Sequence, residues 1–199
     1  MYTPNKEDEF YAEYLDLSKK DGKYIDIGSG VPIEGSNTYY LYTLGWKGLC
    51  VDPNFTQVAW DSVRLGDILV SGAIADTDGE LNMSDTLLEG FNEGDYRHTA
   101  MYPEYVKNYG TRKVPCTTFA KLLEKYPDFY SVDLLSIDVE LSEARVLSTV
   151  DFSKFTPRLI VIESWMRGVS TKPLWEHFLL PFYSPVREFP GNTFYLRKS

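Results

Sequence analysis

Cysteine and histidine are scarce in this chain of 199 residues, and their scarcity excludes several kinds of site. The two cysteines, Cys50 and Cys116, lie far apart and form no C-x-x-C pair, which excludes a disulfide framework and a cysteine-rich zinc site. The two histidines, His98 and His177, are too few for a multi-histidine metal centre. We therefore expect two reduced thiols in a cytoplasmic protein.

Positive charge, long apolar runs and a leader pattern are also lacking. The 20 lysines and arginines are outnumbered by 29 aspartates and glutamates, which gives a formal charge of −9. This charge disfavours nucleic acid as the main partner, because neutralisation of phosphates supplies most of the affinity for it. No run of about 18 apolar residues occurs, so we expect no membrane span. The polar, acidic start of the chain does not resemble a secretory signal.

Short apolar runs alternate with helical patterns, which is typical of an α/β domain whose parallel sheet is covered on both faces. The length favours a single domain over residues 1–199. The apolar runs are residues 23–28, 48–52, 68–75, 132–139 and 158–163. The helical patterns are residues 37–44, 117–125, 142–150 and 173–178, preceded by a helix over residues 6–20 within the N-terminal segment 1–22.

A hairpin and a long irregular segment complete the predicted organisation. Residues 182–189 and 193–198, joined by a turn, predict a β-hairpin with one strand antiparallel to the rest of the sheet. Residues 84–114 match no regular pattern, so we interpret them as a variable segment on the acceptor side. His98 lies there and is a candidate mobile base, whereas His177 is expected in or beside the core.

Glycines follow the first predicted strand, in the order Asp26-Ile27-Gly28-Ser29-Gly30. They allow the backbone to approach a ligand closely. The dinucleotide pattern G-x-G-x-x-G would need glycine where Ile33 stands, which disfavours nicotinamide and flavin cofactors. Asp52 ends the second strand 52 − 28 = 24 residues after Gly28, close to the spacing at which a carboxylate binds ribose hydroxyls. The pair therefore favours a nucleoside ligand.

Two further carboxylates bear on which nucleoside binds. Asp26, just before the glycines, would repel a pyrophosphate but suits the cationic amino and sulfonium groups of S-adenosylmethionine. Asp76 follows the third strand, where it is a candidate partner for the exocyclic amine of adenine. The residues Asp76-Thr77-Asp78-Gly79 are equally a good turn sequence, so a purely structural role for Asp76 stays open.

Three carboxylates follow the fourth and fifth strands. Alternation places Asp138 and Glu140 on one face, and Glu163 reaches the same edge of the sheet. Open α/β sheets bind their ligands at this carboxyl edge. Three anions this close predict either a bound cation or a shared proton. Glu140 has the alternative role of favouring the next helix through its dipole.

Two stretches of the chain resemble the FkbM family of S-adenosylmethionine-dependent methyltransferases. Residues 24–54 carry the D-I-G turn, S-N-T, G-W-x-G and an acid-Pro-Asn ending, and residues 133–163 carry I-D-x-E before a helix and a strand ending in glutamate. The resemblance implies a class I methyltransferase fold, Rossmann-like and three-layered. Its seven-stranded, mostly parallel sheet has the order 3-2-1-4-5-7-6, with an antiparallel last strand.

The resemblance also implies S-adenosylmethionine as the cofactor and a small-molecule or glycan acceptor. It implies that Asp26, Gly28 and Gly30 hold the methionine half, Asp52 the ribose, and Asp76 or its neighbours the adenine. The expected cofactor-binding set is Asp26, Gly28, Ser29, Gly30, Asn37, Asp52, Pro53, Ala75, Asp76 and Asp138. The expected catalytic set is Asp138, Glu140, Glu163 and His98.

Leu141 departs from the family pattern, which has glycine after I-D-x-E. A leucine at positive φ costs roughly 1–2 kcal/mol. Either the turn is built differently here, or Leu141 fills part of the acceptor pocket.

The sequence leaves more than one function open. We expect methyl transfer to a hydroxyl on a sugar, lipid or secondary metabolite, with a carboxylate as the base. A divalent metal held by Asp138 and Glu163 is a less favoured route to the same reaction. The alternative from another class is a degenerate protein that binds S-adenosylmethionine or S-adenosylhomocysteine without turnover. A reductase is disfavoured by Ile33 and Asp26.

Overall fold

Apolar runs of the chain form a seven-stranded sheet in the computed structural model, which describes residues 2–54, 57–84, 111–166 and 168–199. In chain order the strands are β1 (Lys23–Ile27), β2 (Lys47–Asp52), β3 (Ile68–Ser71), β4 (Ala73–Ile74), β5 (Gly79–Ser84), β6 (Thr111–Thr117), β7 (Leu134–Ile137), β8 (Leu159–Glu163), β9 (Trp165–Met166), β10 (Val169–Ser170), β11 (Tyr183–Glu188) and β12 (Asn192–Arg197). His98 lies outside the described residues.

The main sheet has the order β3-β2-β1-β7-β8-β12-β11. Its first five strands are parallel neighbours, and β12 runs antiparallel to both β8 and β11. The predicted order and the antiparallel last strand are thereby confirmed. The carboxyl ends of β1, β2, β7 and β8 meet at one edge.

Side chains of alternate residues on each central strand pack into two separate cores. Ile25 and Ile27 of β1 face one hydrophobic cluster, whereas Tyr24 faces the other. All four residues of β7 are buried. Burial of each large apolar side chain contributes about 1.5–3 kcal/mol, so a strand covered on both faces stabilises the middle layer strongly. Layers on both faces of the sheet give the expected three-layer arrangement.

The helices are shorter than the sequence pattern predicts. The α-helices are α1 (Tyr39–Thr43), α2 (Gln57–Val63), α3 (Phe119–Lys125), α4 (Glu143–Leu147) and α5 (Glu176–Leu179). The 3-10 helices are Glu7–Glu13, Pro127–Phe129 and Lys172–Leu174. The sequence analysis did not anticipate α2.

The N-terminal segment forms a 3-10 helix rather than the longer helix expected over residues 6–20. Lys6 before it has a left-handed φ of 63°. At its start, the Asp8 carboxylate accepts hydrogen bonds from the Tyr2 amide and the Thr3 hydroxyl. These local bonds compete with a regular helix. Tyr11 is buried and donates from its hydroxyl to the carbonyl of Asn37 at 2.6 Å, so the segment packs against the loop before α1.

A second, three-stranded sheet of order β4-β6-β5 lies beside the third strand of the main sheet. The apolar run predicted over residues 68–75 divides at Gly72, whose φ is 151°. A Cβ atom at Gly72 would lie 2.9 Å from the carbonyl oxygen of Pro115, so this bend requires glycine. The bend directs residues 73–74 into the small sheet. In the described part of the chain, no helix has the length and apolarity needed to cross a bilayer.

Candidate functional site

The turn after β1 packs directly on the turn after β7. Gly28 has a φ of 80°, and a Cβ atom there would lie 1.7 Å from the carbonyl oxygen of Asp138. The Gly28 amide donates to the carbonyl of Val51 at 2.8 Å, and the Ser29 hydroxyl donates to that of Asp26 at 2.9 Å. The glycine turn therefore lies at the centre of the carboxyl edge, held between β2 and β7.

Asp52 at the end of β2 is fixed by two backbone amides. Its carboxylate accepts from the Gly30 amide at 2.9 Å and from the Asn54 amide at 2.6 Å. Asp52 is buried, and burial raises the pKa of its carboxyl while these hydrogen bonds oppose the rise. The Arg112 guanidinium binds the Pro53 carbonyl and the Asn54 side chain. These contacts hold the Asp52 carboxylate beside the glycine turn.

Asp26 and Asn37 lie on the other side of the glycine turn and are bonded to the protein. Asp26 is buried and accepts a hydrogen bond from the Thr38 hydroxyl at 2.6 Å. Burial raises the pKa of Asp26, and the bond from Thr38 opposes the rise in part. Asn37 donates to the Ser136 hydroxyl at 3.3 Å and accepts from the Asn192 amide at 3.4 Å. Hydrogen bonds within the protein therefore fix both side chains.

A partly open pocket, the cavity of the proposals below, lies on the Asp52 side of the edge. Its wall combines residues of the main sheet, the small sheet and the turn before α4: Ile27, Gly28, Val51, Pro53, Gly72, Ala73, Ile74, Ala75, Leu81, Met83, Val139, Ser142 and Arg145. Three expected cofactor residues, Gly28, Pro53 and Ala75, therefore share one cavity. Most of the lining is apolar, which suits a flat heterocycle.

Two polar features of this cavity were not anticipated. Arg145 donates from two guanidinium nitrogens to Asp76, at 3.1 and 2.7 Å, and these bonds lower the pKa of Asp76. The Ser142 hydroxyl is buried and has no hydrogen-bond partner among the described residues. Ser142 directly precedes α4, a position at which a serine ordinarily serves as a helix cap.

Asp138, Glu140 and Glu163 come together as predicted. One carboxylate oxygen from each of them lies within 4.8 Å of the other two. The negative charge of Asp138 raises the pKa of Glu163, which favours a proton on one of the two carboxyl groups. Glu143 is a fourth carboxyl group, buried beside them, and accepts from the Val139 amide at 3.3 Å. We refer to these four residues as the carboxylate cluster.

Protons are held tightly in the carboxylate cluster. Burial, and then the charge of Asp26, raise the pKa of Asp138 to about 6. Burial and the charges of neighbouring carboxylates raise the pKa of Glu140 to about 8 and that of Glu143 to about 8. Burial and the charge of Asp138 raise the pKa of Glu163 well above its ordinary value. At neutral pH the carboxylate cluster therefore combines bound protons with an ionised oxygen that can accept another.

The turn after β7 is strained. Glu140 and Leu141 have φ values of 51° and 73°, so both adopt the left-handed conformation that favours glycine. Leu141 therefore keeps the backbone that the family glycine would favour. Its side chain is buried.

Among the described residues, the site contains no histidine. His98 lies outside the described residues, so its expected role as a base stays a prediction. His177 is exposed on α5, where its ring lies 4.1 Å from that of Phe178, so its expected core position is wrong. Cys50 and Cys116 are both free thiols.

Comparison with known proteins provides the family. Residues 26–180 match the model of the methyltransferase FkbM domain, which covers more than half of the chain. The chain belongs to this family. Its fold is similar to the crystal structure of methyltransferase FkbM from Methylobacillus flagellatus KT, with a TM-score of 0.55 and 12% identity.

The alignment with that structure covers 96% of this chain and 50% of the solved one, so this chain spans half the length of the relative. No curated protein matches the chain. The FkbM resemblance and the Rossmann-like fold are confirmed. Membership in the family supports a methyltransferase function.

Proposed function

We propose that this FkbM-family chain transfers a methyl group from S-adenosylmethionine to a hydroxyl oxygen of a sugar, lipid or secondary metabolite. The observation that carries the proposal is the adjacency of two features at one sheet edge. A largely apolar cavity opens beside Asp52, and the carboxylate cluster lies across the glycine turn from it. In this proposal, the donor binds in the cavity and the neighbouring carboxylate cluster removes the proton.

The residues present fit the cofactor. The cavity is lined by apolar side chains and contains an unpartnered hydroxyl, which suits a heterocycle with polar edges. Asp52 and Pro53 would bind the ribose, and Ala75 and Asp76 lie where the base would bind. The residues proposed for the methionine half are Asp26, Gly28, Ser29, Gly30, Asn37 and Asp138. When bound, S-adenosylmethionine supplies a methyl group on a sulfonium, which leaves as a neutral thioether.

The carboxylate cluster serves as the proton acceptor in this proposal. The hydroxyl oxygen of the substrate bonds to the methyl carbon as the bond from that carbon to sulfur breaks. A carboxylate oxygen of Asp138, Glu140 or Glu163 takes up the proton that the hydroxyl loses. Raised pKa values favour this role, because a base is most effective when its pKa lies near the working pH. The remaining negative charge favours a cationic donor. Alignment of the two reactants supplies a further part of the barrier reduction.

A cation site is the alternative use of the same oxygens. Asp138, Glu140 and Glu163 present hard oxygen ligands at a spacing that would suit a divalent ion. The raised pKa values of Asp138 and Glu140 favour the proton route, because a carboxyl group must lose its proton before it binds a metal ion. The two routes differ in their response to chelators.

Isothermal titration calorimetry with S-adenosylmethionine, S-adenosylhomocysteine and NADP tests the cofactor assignment. We expect both sulfur nucleosides to bind and NADP not to bind. Asp52→Ala should weaken binding about 10- to 100-fold, because the ribose hydroxyls lose the buried carboxylate that accepts their hydrogen bonds. Asp21→Ala is the matched control, since Asp21 is exposed and precedes β1. Binding of NADP alone, or equal affinity in Asp52→Ala, would contradict the assignment.

A further inference from the structure

The Ser142 hydroxyl is a buried polar group without a hydrogen-bond partner in the described part of the chain. Ser142 is 9% exposed and lines the cavity beside Asp52. Its Oγ atom makes no hydrogen bond to any described residue. A buried hydroxyl without a partner is unfavourable, and native proteins usually satisfy such groups with protein, water or ligand. The position of Ser142 in the cavity wall points to a ligand.

The Ser142 side chain does not perform the role that is usual for a serine before a helix. Ser142 is the N-cap of α4, yet its side chain makes no capping hydrogen bond. The Glu143 carboxylate binds the turn before α4, where it accepts from the Val139 amide at 3.3 Å. The backbone of Ser142 takes part in the turn and in the helix: its amide donates to the Val139 carbonyl at 3.2 Å, and its carbonyl accepts from the amides of Arg145 and Val146. The hydroxyl is therefore not needed to build α4.

The other polar candidate in this part of the site is already bonded. Asp76 accepts two hydrogen bonds from Arg145, whose own side chain forms part of the cavity wall. The remaining wall is mostly aliphatic and includes Leu81 and Met83 of β5 together with Val139 and Ile74. Among the described side chains of this wall, Ser142 has a polar group that makes no hydrogen bond.

We propose that the Ser142 hydroxyl recognises the adenine base of the cofactor by a hydrogen bond to its polar edge. This inference rests on the proposed function, because it concerns the same cavity and the same cofactor. A hydroxyl can donate to a ring nitrogen or accept from the exocyclic amine, so either edge chemistry satisfies it. Ser142 is thus a specificity residue for the base, and Asp76 is held by Arg145 to shape the cavity.

The test compares two ligands that differ in the base. S-adenosylhomocysteine carries adenine, and S-ribosylhomocysteine has the same sugar and tail without it. Ser142→Ala should weaken the binding of S-adenosylhomocysteine, measured by calorimetry, about five- to tenfold. The affinity for S-ribosylhomocysteine, measured by ligand-observed NMR, should stay within about twofold. The matched control is Ser148→Ala, because Ser148 is exposed just after α4 and its hydroxyl donates to the Arg145 carbonyl.

The stability of the ligand-free variant provides a second measurement. Because the Ser142 hydroxyl has no partner in the described structure, Ser142→Ala should unfold at the same temperature as the wild type or higher. A clearly lower unfolding temperature would overturn the inference, since it would reveal a structural bond. An equal loss of affinity for S-adenosylhomocysteine and S-ribosylhomocysteine, or unchanged affinity for S-adenosylhomocysteine, would overturn the inference as well. A wild-type chain that binds no S-adenosylhomocysteine would instead reject the proposed function itself.

Discussion

Replacing Glu140 with glutamine removes one negative charge from the carboxylate cluster while keeping the shape of the side chain. The pKa of Glu140 is raised from 4.5 to about 8, by burial first and then by Asp138 and Glu143. The folded protein therefore binds more protons than the unfolded chain between these two pH values. Its free energy of unfolding must consequently fall as the pH rises through this range.

The size of the effect follows from that displacement. At about 1.4 kcal/mol per pH unit, a rise from 4.5 to about 8 corresponds to at most about 5 kcal/mol. Glu140 is only half-buried and shares protons with its neighbours, which reduces the effect. We expect Glu140→Gln to be about 1–3 kcal/mol more stable than the wild type near pH 9. Below about pH 4.5 the difference should vanish, because both side chains are then neutral.

Urea unfolding from about pH 4 to about pH 9, with EDTA present to remove divalent ions, measures this difference. Glu124→Gln is the control, because Glu124 is exposed on α3, remote in the chain from the carboxylate cluster. Glutamine at position 140 keeps the left-handed φ, so strain is the same in both proteins. A stability difference independent of pH, or a wild type that becomes more stable toward pH 9 than the variant, would refute the electrostatic reasoning.

Three other predictions follow from single contacts. In thermal unfolding, Gly28→Ala should destabilise the protein by more than about 3 kcal/mol, and it should abolish nucleoside binding, because its Cβ would lie 1.7 Å from the Asp138 carbonyl oxygen. The control is Gly45→Ala, where φ is also positive but the space is open, so the expected cost is only about 1–2 kcal/mol. Arg64→Ala should cost about 3–5 kcal/mol in urea unfolding, because its salt bridge to Asp67 is fully buried, and a loss as small as that of the exposed Lys154→Ala would contradict this. Methyl transfer should continue in excess EDTA, and loss of turnover that magnesium or manganese restores would favour the cation site.

The main sheet could be predicted because its strands carry a strong local signal. Strands buried on both faces read as continuous apolar runs, and parallel strands bring their carboxyl ends to one edge. That rule was enough to place Asp138 and Glu163 together before any contact was known. The closing hairpin was equally readable from Pro190-Gly191-Asn192 between two apolar runs.

The small sheet was missed because its strands are short and their partners are distant in sequence. The alternation of Leu81 and Met83 with Glu80 and Asn82 was a usable signal for β5. The bend at Gly72 depends on the approach of Pro115, a contact that no local pattern indicates.

The role of Ser142 was hidden for a related reason. Serine before a helix normally predicts a cap, and only the folded structure shows that its hydroxyl makes no capping bond. The turn at Leu141 was half anticipated. The sequence raised the question of a positive φ, and the structure answered it, because leucine adopts the left-handed conformation there.

The decisive experiment is a crystal structure of the chain grown with S-adenosylhomocysteine. We expect electron density for the adenine between Leu81 and Val139, the ribose against Asp52, and the sulfur facing Asp138 and Glu163. Density elsewhere on the molecule, or a cavity filled only by solvent at saturating nucleoside, would contradict this expectation.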